Sequence, residues 1–179
     1  MTETKIHLEK VTYDNVEKIL KLRVTKEQKE FVASNKWSLI EAYLALAEGE
    51  TALPFGIYNG KTLIGFVMLS YDDDWTGYER ENWLTSEDYK RYEGIKYYAI
   101  WRFMIDKKYQ NKGYGKEALK AVIDLIRTLP CGEAQYILLS YEPENIVAKR
   151  LYHSFGFEEP AEFAGYYEEG DEITALLKL

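Results

Sequence analysis

Apolar positions recur along the chain with two periods, and the switches between them predict the order of elements. Lys5–Val11 alternates as a strand, and Thr12–Arg23 places Val16, Ile19, Leu20 and Leu22 at helical spacing behind a Thr/Asp start. Ser38-Leu-Ile-Glu41 has the spacing of a capping box, which predicts a helix opening there, running to about Ala47 and stopping at Gly49. Two β-rich runs from Phe55 to Leu69 flank Asn59-Gly60, the pattern of a hairpin. Residues 72–94 are polar, aromatic and turn-rich, and predict a long functional loop or lid. Ile95–Ile105 is a strand-like run of Tyr, Ile, Trp, Phe and Met. Beyond polar Asp106–Lys112 and Gly113-Tyr-Gly115, the positions Ala118, Leu119, Val122, Ile123, Leu125 and Ile126 predict a helix ending near Pro130. Tyr136–Ser140 reads as a short buried strand, and Asn145–Phe155 as a helix closed by Gly156. Phe157–Phe163 and Glu172–Leu179 read as a closing hairpin. The order is mixed α/β, and its central strand–helix–strand unit requires parallel strands with a right-handed crossover.

Composition narrows the function. A chain of 179 residues with 46% hydrophobic and 30% charged positions is expected to fold as one domain over residues 1–179. No apolar run reaches about 18 residues and no signal peptide opens the chain, so a cytoplasmic protein without membrane contact is expected. The single cysteine, Cys131, is expected to be buried and structural in a reducing compartment. With two histidines and that one cysteine, no metal site is expected. A net charge of −7 argues against nucleic acid as a partner. The charge is unevenly spread. Residues 72–93 hold eight acids and three bases, net −5, and residues 158–172 hold seven acids and no base. Residues 102–116 hold five bases and one acid, net +4. That basic segment attracts anions, whereas the rest attracts cations.

The basic segment contains Gln110-Asn111-Lys112-Gly113-Tyr114-Gly115-Lys116 between a strand and a helix. Glycines there let backbone N–H groups close on a ligand, the helix N-terminus adds free donors, and the lysines add charge: a phosphate-binding design. A P-loop is excluded, because Gln110 and Glu117 stand where it needs Gly and Ser or Thr. A dinucleotide fingerprint is met only superficially, since seven polar or basic residues separate the loop from its strand.

The Gln110-x-x-Gly113-x-Gly115 loop resembles motif A of the GCN5-related N-acetyltransferase (GNAT) superfamily. Glu144-Asn145-Ile-Val-Ala148-Lys-Arg-Leu151-Tyr152-His-Ser-Phe-Gly156-Phe157 resembles that family's second block, in the family's order and at about its separation. Within the superfamily the chain looks most like bacterial spermine/spermidine acetyltransferases. The resemblance implies a twisted, mostly antiparallel sheet with a parallel, splayed central strand pair flanked by helices. It implies acetyl-CoA as co-substrate, with Phe103 and Ile105 as backbone partners of the pantetheine. The N–H groups from Gln110 through Asn111, Lys112, Gly113, Tyr114 and Gly115 to Lys116 would receive the pyrophosphate, and Asn145 the pantetheine arm.

The same resemblance makes Tyr152 the general acid for the departing thiolate, against a reading as a core aromatic. It departs from the pattern at Trp101, where relatives carry Glu or Asp as base. Water relayed through Tyr97, Tyr98 or Ser140, or an acid of the 72–93 loop, is the substitute. The acceptor is expected to be a small cationic amine such as spermidine or spermine, drawn by Asp72, Asp73, Asp74 and Trp83 through charge and cation–π contact. An aminoglycoside, a peptide amine or a non-catalytic acetyl-CoA sensor are the alternatives. A homodimer is compatible with this reading.

Overall fold

The computed structural model describes residues 6–72, 94–160 and 172–179. Its elements are β1 (Ile6–Lys10), α1 (Val16–Ile19), α2 (Asn35–Ala47), β2 (Leu53–Asn59), β3 (Thr62–Asp72), β4 (Tyr97–Ile105), α3 (Tyr114–Ile126), β5 (Tyr136–Tyr141), α4 (Ile146–His153) and β6 (Ile173–Lys178). The strands hydrogen-bond in chain order in one mixed sheet. β4 and β5 are parallel, with Tyr97, Tyr98 and Ala99 registered on Tyr136, Ile137 and Leu138. β1–β2, β2–β3 and β5–β6 are antiparallel. The mixed α/β class and the central parallel pair therefore stand as expected.

The chain forms two compact units, Met1–Ser70 with Ile100–Thr128, and Tyr71–Ala99 with Leu129–Leu179. In the first, Ala118, Leu119, Val122, Ile123 and Ile126 are the buried face of α3, as their spacing predicts. A second cluster, Ile19, Leu22, Ala42, Ala45, Ala52, Phe66, Met68 and Met104, fills the space under α2. Gly65 lies so close to the next strand that a Cβ there would stand 2.4 Å from the Met104 carbonyl oxygen, so only glycine fits. In the second unit Ile137, Leu139, Tyr141, Tyr152, Phe157, Ala175 and Leu176 are buried around β5 and β6.

Two expectations are corrected. The helix foreseen over Thr12–Arg23 is one short turn, Val16–Ile19. Side chains take the carbonyls that would continue it: Asn35 Nδ2 donates to Ile19 O at 2.9 Å, and Arg23 Nη1, from the same segment, donates to Leu20 O. The second helix opens a turn before Ser38. Ser34 is its N-cap, accepting from Trp37 N at 3.2 Å, while Ser38 is buried and donates back to Ser34 O. β6 pairs with β5, with Tyr136 on Lys178 and Tyr141 on Ile173. Of the expected closing hairpin the described residues show the antiparallel bridge Glu158–Leu176, and 161–163 lie outside them.

Candidate active site

The loop after β4 is anchored before it turns. Asp106 is buried, its Oδ2 accepting from Arg23 N at 2.8 Å and its Oδ1 from Lys108 N at 3.0 Å. Gln110 Nε2 donates to Ile105 O at 2.9 Å and to Gln28 Oε1 at 2.8 Å. Beyond these anchors Asn111 (φ 60°) and Gly113 (φ 81°) are both left-handed, and Gly113 is the N-cap of α3 without any side-chain cap. No acceptor among the described residues takes the N–H groups of Asn111 through Gly115. Alternating handedness turns such groups to one concave side, and the α3 N-terminus adds its partial positive charge. A Cβ on Gly113 would meet no protein atom within 4 Å, so the space there is open to a ligand. Lys112 folds back, donating to Lys108 O at 3.0 Å with its ammonium 5.7 Å from the Tyr109 ring centre. The donor set fits a pyrophosphate.

On β4, Trp101 has a packing role: it lies against the cluster under α2, with the Arg102 guanidinium 5.5 Å from its ring centre. Arg102 Nη2 holds both carboxylate oxygens of Glu41, at 3.2 and 3.0 Å. Glu41 is therefore bound to the strand rather than serving as the capping-box partner its spacing suggested. Phe103 is half-buried and Ile105 buried.

In the second unit Asn145 caps α4, its Oδ1 accepting from Ala148 N at 3.2 Å. The cap uses the oxygen only, so Nδ2 is left to donate elsewhere. On α4, Tyr152 rather than Leu151 or Phe155 faces the core; it is 7% exposed, whereas those two are half-buried. Its ring lies 5.7 Å from Tyr141 and 5.9 Å from Phe157, while its hydroxyl makes no hydrogen bond among the described residues. Burial, reinforced by the Glu172 charge, pushes its pKa up to about 12.

The proton-relay candidates separate. Tyr98 is fully buried, and its hydroxyl accepts from Cys131 N and Gly132 N while donating to Gly132 O, so it has no capacity left for a relay. Ser140 donates to Glu172, a hydroxyl backed by a carboxylate that can pass a proton. Glu142, not singled out by its sequence context, has its pKa raised by desolvation and by the Glu172 and Glu144 charges. Cys131 is corrected: it is exposed, yet the protein around its sulfur pushes the thiol pKa up, so it is a poor nucleophile. Asp73, Asp74 and Trp83 lie outside the described residues, and Asp72 closes β3. No group of three or more His, Cys, Asp or Glu among the described residues is arranged for a metal, and no helix among them is long and apolar enough to cross a membrane.

Glu159 fastens α4. It takes the Tyr141 hydroxyl, Lys149 Nζ at 3.0 Å and His153 Nε2 at 2.7 Å. Desolvation opposes its charge, but the three hydrogen bonds and the Lys149 charge outweigh it and hold the carboxyl down at about 2. A depressed folded pKa stabilises above the unfolded value, about 4.3, and the gain is lost as pH falls towards 2. Because the side chain is 29% exposed, Glu159→Gln is expected to cost only about 1–2 kcal/mol at pH 7. It should also flatten the acid limb of the stability curve between about pH 4.5 and 2 in urea titrations. An unchanged acid limb would assign acid sensitivity to other carboxylates.

The acetyltransferase (GNAT) family model matches residues 16–157. A probable spermine N(1)-acetyltransferase of Bacillus subtilis subsp. natto (strain BEST195) is 35% identical over 155 residues, 86% of this chain and 88% of that protein. The spermine/spermidine N(1)-acetyltransferase of Bacillus subtilis (strain 168) is 34% identical with the same coverage. An aminoglycoside acetyltransferase solved with coenzyme A has the same fold at a TM-score of 0.65 and 17% identity, covering 97% of this chain and 95% of that one.

Proposed function

The chain belongs to the GNAT acetyltransferase family and is an acetyl-CoA-dependent N-acetyltransferase, and from that premise we propose that it acetylates a primary amine of spermidine or spermine in the cytoplasm. The observation that carries the acceptor is the 35% identity, spread over 86% of the chain, to a probable spermine N(1)-acetyltransferase. The net charge of −7 and the acidic, aromatic 72–93 segment favour a polycation. Trp101 stands where the resemblance puts an acid, and its packing under α2 gives it a structural reason to be there.

Bound acetyl-CoA supplies an activated thioester; this chain's residues hold and polarise it. In this reading the N–H groups from Gln110 to Lys116 take the pyrophosphate, and Asn145 Nδ2 and the backbone of Phe103 and Ile105 orient the pantetheine. Tyr152 attends the sulfur. With a phenol pKa of about 12 against a thiol near about 8.5, complete proton transfer would be uphill by roughly 5 kcal/mol. Tyr152 therefore keeps its proton while donating a hydrogen bond to the sulfur as the C–N bond forms and the C–S bond breaks. The ionisable proton ends on the thiol, delivered from the amine through solvent or a carboxylate relay such as Ser140–Glu172.

Thiol release from acetyl-CoA, measured against a panel of amines, tests the acceptor. Spermidine and spermine should be turned over with the highest kcat/KM. Replacing Asp72, Asp73 and Asp74 together with Asn should raise KM for spermidine and flatten its salt dependence, leaving KM for acetyl-CoA nearly unchanged. Trp83→Ala should raise the amine KM by the several-fold that ~0.5–2 kcal/mol of cation–π contact represents. Turnover of another amine with none of these two overturns the polyamine reading and leaves the acetyltransferase assignment intact.

A further inference from the structure

β5 and β6 bring two carboxylates together at one end of their ladder. The last registered pair is Tyr141 on Ile173, so one residue further Glu142 stands opposite Glu172. Ser140, registered on Thr174, is the diagonal neighbour of Glu172 on the same face, and its hydroxyl donates to that carboxylate. Glu144, in the turn after β5, adds a third negative charge that acts on Glu142. Like charges set opposite each other are destabilising, and here no cation answers them. Neither Glu142 nor Glu172 forms an ion pair among the described residues, and Lys149 and His153 of the neighbouring α4 are both taken by Glu159. A second observation points to a ligand at this place. The Tyr152 hydroxyl, 7% exposed as a residue, has no hydrogen-bond partner among the described residues, and Glu172 is the carboxylate whose charge acts on that phenol. We propose that Glu142 and Glu172 are the paired carboxylates that seat the acceptor ammonium and take its proton.

The inference deepens the acetyltransferase reading, rests on Tyr152 attending the sulfur, and supplies the base that Trp101 leaves open. An alkyl amine with a pKa near about 10 arrives as ammonium at neutral pH. Between the two carboxylates it turns repulsion into attraction on both sides. One N–H proton passes to the pair and leaves its electrons on nitrogen. Those electrons form the C–N bond to the thioester carbonyl, the C–S electrons leave with sulfur, and a second N–H proton ends on the thiol. The pair then returns its proton to solvent, so one ammonium and one thioester become one amide, one thiol and one free proton. Desolvation and the charges of Glu172 and Glu144 push the Glu142 carboxyl up, which makes the pair a better proton acceptor than a solvated glutamate. Among the described residues the titratable groups acting on the pair are Glu144 and, from α4, Tyr152.

Kinetics from pH 7 to about 10 test it, with spermidine or the amine that the panel selects in its place. Glu172→Gln keeps the side-chain length and an oxygen for the Ser140 hydroxyl, so circular dichroism and Tm should not change. It should lower kcat/KM for the amine ~100-fold or more at pH 7 and leave KM for acetyl-CoA unchanged. Glu142→Gln should act in the same direction, and Glu172→Asp, which keeps the carboxylate, should recover part of the loss. The deficit should shrink as pH approaches about 10, because an amine that has already lost its proton needs no base. A residue that only braces β6 would give a deficit independent of pH. Unchanged kcat/KM in both Gln variants overturns the proposal, as does a loss in only one of them or a deficit constant with pH. Tyr152→Phe reports on the sulfur separately, so failure at the carboxylates and failure at the phenol are told apart.

Discussion

Tyr152→Phe should lower kcat by ~10²–10³ while leaving acetyl-CoA affinity and folding stability almost unchanged. The expectation is sharp because the hydroxyl has no hydrogen-bond partner among the described residues, so removing it breaks no bond that holds the fold. The ring contacts with Tyr141 and Phe157 survive in phenylalanine. The raised pKa adds a second readout. A phenol at about 12 stays protonated throughout the working range, so kcat should not fall on the alkaline side below about pH 11 through loss of this proton. Unchanged kcat in the variant, with chemistry shown to limit turnover, would return Tyr152 to a packing role. A wild-type alkaline limb near pH 9 that disappears in Tyr152→Phe would show a tyrosine that ionises far more easily than its burial allows.

Gly113→Glu should abolish acetyl-CoA binding. Saturation at a hundred times Kd should stabilise the native protein by about 2.7 kcal/mol, a rise in Tm of about 5–10 °C for a chain of this size. Two effects remove that shift. Any side chain at φ 81° costs about 1–2 kcal/mol of backbone strain, which disturbs the donors around it. The carboxylate then enters the open space over Gly113 and repels the phosphates. Gly113→Ala separates the two, since it carries the strain without the charge, and it should retain part of the ligand-induced shift. A folded Gly113→Glu protein that keeps the full shift would mean the pyrophosphate binds elsewhere.

Much of this protein is written in local pattern. Helix α3 was legible because Ala118, Leu119, Val122, Ile123 and Ile126 repeat at helical spacing on one buried face. The hairpin of β2 and β3 was legible from Asn59-Gly60, whose neighbours register as Asn59 on Thr62. The turn into α3 was legible because a positive φ before a helix start needs glycine, a local property of Gly113-Tyr-Gly115. Residues far apart in sequence decided the rest. α1 is short where Asn35, sixteen positions away, takes the Ile19 carbonyl. Glu41 left its expected cap for Arg102, sixty-one positions away, because a charged guanidinium outcompetes a backbone amide. Tyr98 lost its candidacy as a relay to the backbone of Cys131 and Gly132, and Tyr152 proved to be the core-facing residue of α4. Spacing states which face a residue shares, but hydrogen-bond partners and the solvation that sets a pKa depend on what the fold brings alongside. The sequence by itself therefore determined most of the elements and the glycine turn that opens α3. Only tertiary structure decided which hydroxyls stay free and which carboxylate keeps its charge.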